Sequence, residues 1–195
     1  MAAFDSPGWV RIIGGEWRRR RLAVPAGLAV RPSSDRVRET VFNWLAMRLP
    51  GARCLDLFAG SGALGLEALS RGARTVTLVE SESQVVASLR LNVAQLGATH
   101  ATIVHANALT HLNTPPLEPY HVVFLDPPFA SGLALQVLTR LDSSWLVAEG
   151  VTYLETPREP DIPPPDGWRI MREGTTRQTH YRLLERAPLM PAKKT

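Results

Sequence analysis

The stretch Asp56-Leu57-Phe58-Ala59-Gly60-Ser61-Gly62 joins a short apolar segment to an apolar helix and decides the fold class. With Gly65 it gives the pattern G-x-G-x-x-G, whose glycines let the backbone turn tightly and approach a ligand. Glu80 follows Gly60 by 20 residues, at the predicted end of the next strand, where a carboxylate can accept hydrogen bonds from ribose hydroxyls. A strand, a glycine turn and a helix in this order predict an α/β sheet with a ligand at its edge.

Short apolar strands alternate with amphipathic helices around this stretch. The strands are predicted at 53–57, 75–79, 101–105, 121–125 and 151–155, and the helices at 35–49, 63–71, 83–96 and 132–141. Ser81 and Gln84 fit a capping box for the third of these helices, and Gly97 fits its C-cap. Two more strands, at 168–172 and 179–184, have no helix between them. We therefore expect a mainly parallel sheet with helices on both faces and an antiparallel pair at the C-terminal end.

The N-terminal segment is strongly basic. Residues 9–13 and 17–24 flank Gly14-Gly15, which predicts a β-hairpin, and consecutive arginines on both faces of a strand would make that hairpin project from the body. Between Trp9 and Arg38 eight arginines stand against two acids, a net charge of +6 in a chain of +4. This charge predicts a polyanionic partner, although a solvated terminus without a specific purpose is the alternative. The candidate contacts are Arg11, Arg18, Arg19, Arg20, Arg21, Arg31, Arg36 and Arg38.

Length and composition limit the remaining possibilities. With 195 residues, 45% of them hydrophobic, we expect one domain at 31–186, a hairpin extension at 1–30 and a tail at 187–195. The single cysteine, Cys54, allows neither an internal disulfide nor a cysteine metal cluster, so we expect no metal. The sequence shows no apolar run long enough for a membrane span and no signal peptide at its start, so we expect a cytoplasmic protein, and a monomer because the fold needs no partner.

Asp56 distinguishes between two cofactor classes that share the glycine turn. A nicotinamide dinucleotide would place its pyrophosphate near the helix N-terminus, where the Asp56 carboxylate would repel it. The same carboxylate suits the ammonium and sulfonium charges of S-adenosylmethionine, which is therefore favoured over the dehydrogenase alternative. Asn107 and Ala108, just beyond the third strand, are placed to contact the adenine, although a lone Asn after a strand is more often a simple turn residue. The candidate cofactor-binding residues are Asp56, Phe58, Ala59, Gly60, Ser61, Gly62, Glu80, Ser81, Asn107, Ala108 and Asp126.

A second motif, Asp126-Pro127-Pro128-Phe129, directly follows a buried strand at the edge where α/β sheets bind ligands. An exocyclic base amine is a poor nucleophile because its lone pair is delocalised into the ring. Two acceptors, the Asp126 carboxylate and the Pro127 carbonyl, would orient that lone pair toward a methyl group. Phe129 could stack on the base, which must first leave its own stack. We therefore take Asp126, Pro127, Pro128 and Phe129 as candidate catalytic residues for transfer of a methyl group to a base amine.

Four segments together carry a resemblance to a known family. They are Arg11-Ile12-Ile13-Gly14-Gly15 with Trp17, Arg31-Pro32 leading to 35–40 and 42–45, the loop 56–65 with 67–71, and Asp126 to Phe129. From about residue 9 to about residue 185 the chain resembles the bacterial methyltransferase D family, which methylates the N2 amine of one guanine, at position 966, in 16S ribosomal RNA. The first two segments are specific to that family, whereas many amino-methyltransferases of DNA, RNA and protein share the other two.

The resemblance implies the Rossmann-like class I methyltransferase fold, with a seven-stranded sheet whose last strands run antiparallel. It also implies S-adenosylmethionine as cofactor and, as substrate, 16S ribosomal RNA in an assembled or assembling small ribosomal subunit. Two positions depart from common patterns: Phe58 stands where many other methyltransferases have glycine, and Asn107 stands where an acid is common. A DNA adenine or cytosine amino-methyltransferase and a non-catalytic RNA-binding assembly factor remain alternatives. Against the DNA methyltransferase, the chain has no obvious target-recognition domain. Against the assembly factor, a non-catalytic protein would not need Asp56, Glu80 and Asp126.

Overall fold

A computed structural model describes residues 8–25, 35–129 and 132–187, and the predicted alternation of strands and helices is present in it. The strands are β1 (Gly8–Arg11), β2 (Arg21–Val24), β3 (Arg53–Asp56), β4 (Thr75–Glu80), β5 (Ala101–His105), β6 (Tyr120–Leu125), β7 (Leu146–Pro157), β8 (Trp168–Thr175) and β9 (Thr179–Arg186). The helices are α1 (Asp35–Trp44), α2 (Ala63–Ser70), α3 (Ser83–Leu96), α4 (Ala108–His111) and α5 (Leu133–Leu138).

Seven of the strands form one sheet in the order β5-β4-β3-β6-β7-β9-β8. Strands β3 to β7 are paired in parallel, and β9 is antiparallel to both β7 and β8, which confirms the predicted class I architecture. The chain proceeds from β3 to β4 and β5 on one side, and then returns to β6 and β7 on the other. The carboxyl ends of β3 and β6 therefore flank the topological switch point, where open α/β sheets bind their ligands.

The helices follow the predicted pattern with local differences. The apolar stripe of α1 is buried and continues past the helix end through Leu45 and Leu49. Helix α3 has its predicted bounds and ends at Gly97, whose φ of 65° is left-handed. The predicted capping box is wrong, because Glu82 is the N-cap and no side chain bonds the first turn. Helix α4, a single turn, was not predicted, because four residues are too few to show a helical period.

The sheet is covered on both faces by apolar side chains. One cluster joins α1, α2 and α3 to the sheet and includes Phe42, Leu66 and Phe124. The other joins α5 to the opposite face and includes Val123 and Val137. Neighbouring residues of β6 thus belong to different clusters, as expected for a strand buried on both faces.

The N-terminal hairpin packs on the body, so the prediction that it projects is wrong. Strands β1 and β2 are antiparallel, and Val10, Ile12, Leu22 and Val24 are buried in the same core cluster as α1 and α2. The prediction failed because Arg18–Arg20 lie in the turn between the strands and not in a strand. The strands themselves can therefore keep the inward and outward alternation of a half-buried hairpin.

Three predictions fall on residues that the structure does not describe. The boundary near residue 30, the contact residue Arg31 and the tail beyond residue 187 lie outside the described residues. Within the described ranges, no helix is both long enough and apolar enough to cross a membrane.

Candidate active site at the sheet edge

The two predicted motifs meet at the switch point. Asp56 ends β3 and is paired in register with Phe124 of β6, two residues before Asp126. The backbone N–H of Leu57 donates to the carbonyl of Phe124 at 3.1 Å, which ties the start of the glycine turn to β6. The acidic turn and the Asp126 motif therefore leave the sheet side by side.

The carboxylate of Asp56 is buried and has two backbone hydrogen-bond donors beside it. It accepts hydrogen bonds from the backbone N–H of Gly65 at 3.1 Å and of Phe58 at 3.4 Å. Burial raises the pKa of Asp56 to about 7, the two backbone donors act against this, and the negative charge of Glu80 adds to it. A cation placed beside this carboxylate would favour its ionised form, so the site suits a positively charged ligand.

The glycine turn has the backbone that its residues predict. Gly62 precedes α2 with a φ of 85°, a conformation that other L-residues rarely adopt. A Cβ on Gly65 would lie 2.3 Å from the side chain of Leu78 on β4, so only glycine lets α2 pack this closely on the sheet. These two positions bring the first turn of α2 close to Asp56.

Glu80, at the end of β4, organises the backbone around the turn. Its carboxylate accepts hydrogen bonds from the N–H of Gly60 at 3.0 Å, Ser81 at 2.8 Å and Glu82 at 2.9 Å. The turn after β3 is thereby fixed to the end of β4. A carboxylate has about four acceptor sites, so these three bonds leave the predicted contact to ribose hydroxyls chemically feasible.

Asn107 follows β5 and caps α4, because its side-chain oxygen accepts a hydrogen bond from the N–H of Leu109 at 2.9 Å. Ala108 beside it is buried. The predicted adenine contacts of both residues stay predictions, and the Asn107 amide oxygen already serves the helix.

The Asp126 motif lies between the switch point and β7. Pro127 is buried, Pro128 is exposed and Phe129 is half-buried. A space of only about 10 Å³ separates the motif from the end of β7, where Glu155 and Thr156 line it. No base fits into that space.

Glu155 is a feature of this edge that the sequence analysis missed. Leu154 is paired with Leu125, so Glu155 stands beside Asp126 at the end of the neighbouring strand. It is buried and accepts a hydrogen bond from the Tyr153 hydroxyl at 2.6 Å. An acid at the end of the predicted strand 151–155, behind Val151, Tyr153 and Leu154, is the signal that could have found it.

The described basic residues of the N-terminal segment have different surroundings, although Arg11 is the cross-strand partner of Arg21 in the hairpin. Arg11 and Arg36 are exposed, and Arg11 forms an ion pair with Asp35 at 2.9 Å. Arg38 is only 1% exposed, and it donates to Asp35 at 2.7 Å and to the carbonyl of Arg11 at 2.8 Å. The prediction that Arg38 contacts RNA is therefore corrected: its guanidinium is a structural part of the core.

The exposed arginines 18–21, which comprise the end of the hairpin turn and the first residue of β2 and are called the basic turn below, lie away from the switch point. The Arg20 guanidinium donates to the carbonyl of Gln95, near the end of α3, and the N–H of Glu16 donates to Ser70, at the end of α2. Both helices start at the carboxyl edge of the sheet, so their ends lie toward the opposite edge. The structure thus does not bring these arginines together with Asp126.

Metal-dependent and thiol-dependent chemistry have little support among the described residues. Among the described residues no group of three or more His, Cys, Asp or Glu side chains is placed to hold a metal ion. Cys54 is buried in β3, and burial raises the pKa of its thiol to about 12. A thiol with such a pKa stays protonated near neutral pH and is a poor nucleophile.

The fold and the site together define a class I methyltransferase. The family described as conserved hypothetical protein 95 matches residues 10–185. Ribosomal RNA small subunit methyltransferase D of Escherichia coli K12 is 47% identical over 181 residues, covering 92% of this chain and 91% of that protein. The protein of the same name from Haemophilus influenzae is 40% identical over 185 residues, covering 93% and 96%. The chain belongs to this ribosomal RNA small subunit methyltransferase D family.

Solved structures agree with the sequence relatives. The candidate methyltransferase yhhF from Escherichia coli has a TM-score of 0.84 at 46% identity, covering 92% of this chain and 98% of that one. The candidate methylase HI0767 from Haemophilus influenzae has a TM-score of 0.79 at 39% identity, covering 93% and 100%. Membership in a methyltransferase family removes the dehydrogenase alternative for the glycine turn.

Proposed function

We propose that this methyltransferase transfers a methyl group from S-adenosylmethionine to the exocyclic N2 amine of a guanine in 16S ribosomal RNA, the one at position 966. The observation that carries the proposal is the placement of the Asp126 motif beside the buried Asp56 at the switch point. An acid that suits a cationic cofactor and an acceptor pair that suits a base amine thereby share one edge of the sheet.

The residues present fit the cofactor. Asp56 is buried with a pKa near 7, so a neighbouring positive charge offsets an unfavourable burial. Bound S-adenosylmethionine supplies an electrophilic methyl group on a positively charged sulfur. We assign its binding to the segments at the ends of β3, β4, β5 and β6. These comprise Asp56, Phe58, Ala59, Gly60, Ser61, Gly62, Glu80, Ser81, Asn107, Ala108 and Asp126.

The chain's own part in the reaction is orientation and charge stabilisation. The Asp126 carboxylate and the Pro127 carbonyl each accept one hydrogen bond from the guanine amine, which aims the nitrogen lone pair at the methyl group. The amine becomes positively charged as the new N–C bond forms and the bond between the methyl group and the cofactor sulfur breaks, and both acceptors stabilise that charge. The methylated amine then releases one proton to solvent and is neutral again. Proline at 127 and 128 fixes the backbone and removes two N–H donors from the site. Phe129 stacks on the base and keeps the reacting atoms in line.

The relatives' names support ribosomal RNA of the small subunit as the substrate. The exposed arginines Arg11, Arg36 and 18–21 add positive charge that can position an RNA backbone without reading its sequence. We expect the substrate to be the assembled or assembling subunit, and the enzyme to act as a monomer.

The decisive experiment is mass mapping of ribosomal RNA from cells that lack this protein. We expect one guanine of 16S RNA to lose a methyl group, and complementation with Asp126→Ala not to restore it. An unchanged set of methylated guanines would refute the RNA assignment.

Transfer from labelled S-adenosylmethionine to purified small subunits, free 16S RNA and DNA separates the alternatives. Labelling of subunits or RNA supports the proposal, whereas labelling of DNA would indicate the amino-methyltransferase of DNA. Calorimetry with S-adenosylmethionine tests the non-catalytic alternative, since a chain that keeps only the fold has no need to bind the cofactor.

A further inference from the structure

A base held against Phe129 needs its own phosphates to be held nearby. The arginines of the hairpin turn cannot do this, because they lie toward the opposite edge of the sheet. Among the described residues, positively charged side chains nearer to Phe129 are therefore the candidates for positioning the reacting nucleotide.

A cleft of about 410 Å³ opens on one side of Phe129. Its size lies within the range of roughly 300 to 1,000 Å³ that small-molecule sites occupy. It is lined by Pro157, the last residue of β7, by Arg158 and Glu159 of the segment that follows, and by Arg177 and Gln178 of the turn between β8 and β9. The cleft thus has an aromatic wall and two arginines from separate segments.

Hydrogen bonds join the two segments into one rim. The N–H of Arg158 donates to the carbonyl of Gln178 at 2.9 Å. Within the turn, the N–H of Thr176 donates to the carbonyl of Thr179 at 2.8 Å, and the N–H of Thr179 donates to the Thr176 hydroxyl at 2.9 Å. The backbones that carry Arg158 and Arg177 are therefore held together, while both side chains are exposed.

We propose that Arg158 and Arg177 bind the RNA phosphates that flank the base stacked on Phe129. This assignment rests on the proposed function and names the residues that position its substrate. Guanidinium groups match phosphate oxygens with two parallel hydrogen bonds, and they stay charged at any physiological pH. Glu159 is the acidic member of the rim, and it opposes the two arginines.

The test uses the full-length chain with small subunits from cells that lack it. Arg158→Gln and Arg177→Gln should each raise KM for subunits about 10-fold, the effect expected when one charge-assisted hydrogen bond is removed, with kcat within about twofold. In equilibrium binding, each variant should make the negative slope of log K against log salt shallower by about 0.7. Calorimetric affinity for S-adenosylmethionine should not change.

Two matched variants separate a phosphate contact from general effects. Arg172→Gln removes the same charge from an exposed position on β8, about 13 Å along the strand from Thr176, and should leave KM unchanged. Glu159→Gln removes the opposing charge and should lower KM. Unchanged KM and salt slope in both arginine variants would overturn this inference and leave the proposed function standing. The proposed function itself fails if the unaltered chain transfers no methyl group to subunits or RNA.

Discussion

Replacing Glu67 by alanine should release the N-terminal hairpin from the core. Glu67 is fully buried in α2, and its carboxylate accepts hydrogen bonds from the N–H of Ile13 at 2.7 Å and of Gly14 at 2.8 Å. It also accepts from the Arg71 guanidinium at 2.7 Å and lies 3.7 Å from that of the buried Arg38. One carboxylate thus satisfies two backbone donors and faces two cations.

The expected cost follows from what the substitution leaves behind. Alanine removes the acid, while the Arg38 guanidinium stays buried and the two hairpin N–H groups have no carboxylate to bind. Removing one partner of a buried ion pair costs about 3 to 5 kcal/mol. In a chain of 195 residues each kcal/mol corresponds to about 2 to 4 °C in Tm, so Tm should fall by about 6 to 20 °C.

Urea and thermal unfolding measure the total effect, and hydrogen exchange of the Ile13 and Gly14 amides locates it. Glu67→Gln keeps one acceptor oxygen and should cost less than Glu67→Ala. Glu39→Ala removes an exposed acid of α1 and should stay within about 0.5 kcal/mol of the parent chain. If Glu67→Ala melts together with Glu39→Ala and its hairpin amides stay protected, the carboxylate does not hold the hairpin.

Three further predictions concern the site and the basic turn. Asp126→Ala should keep S-adenosylmethionine binding and lower kcat at least about 100-fold in single-turnover assays, and near-normal turnover would contradict its role. Asp56 has a pKa near 7, and a cationic cofactor favours its ionised form. The calorimetric affinity for S-adenosylmethionine should therefore rise with pH up to about 7, by at most tenfold per pH unit, and then level off. Asp56→Asn should abolish this dependence, and a flat parent profile from pH 6 to 8 would contradict the reasoning. Replacing the arginines 18–21 by glutamine should make the negative slope of log K against log salt shallower by about 0.7 to 0.9 for each phosphate that the turn no longer binds. Affinity for the cofactor should not change. An unchanged slope would show that the turn does not bind RNA.

Local sequence patterns predicted the features that depend on neighbouring residues. The strands and helices were found because periods of 2 and 3.6 are visible within a single element. The positions of Asp56 and Asp126 followed from the rule that parallel strands end at one edge. To predict that Asp56 and Asp126 lie side by side, one must also know the order of the strands, which the family resemblance implied.

Features that depend on distant residues were not predicted. Glu67 contacts a backbone more than 50 positions earlier in the chain, and no periodicity records such a pairing. The burial of Arg38 has the same cause, because Glu67 and Asp35 provide its acidic surroundings only in the folded chain. Arg38, which the sequence pattern placed among the exposed basic residues, is therefore a core residue. The lone acid in the otherwise apolar α2 was the local sign of this arrangement.

The distance between the basic turn and the site restricts the substrate under the proposed function. Helix α3 extends about 18 Å from Ser83, at the carboxyl edge of the sheet, to Gln95, whose carbonyl accepts a hydrogen bond from Arg20. An RNA that reaches both Phe129 and the basic turn must extend at least this far across the enzyme. A short RNA around the target guanine can use the rim of Arg158 and Arg177 alone, whereas a folded subunit presents phosphates to both surfaces. The two surfaces can therefore act together only on a substrate whose phosphates lie at least this far apart.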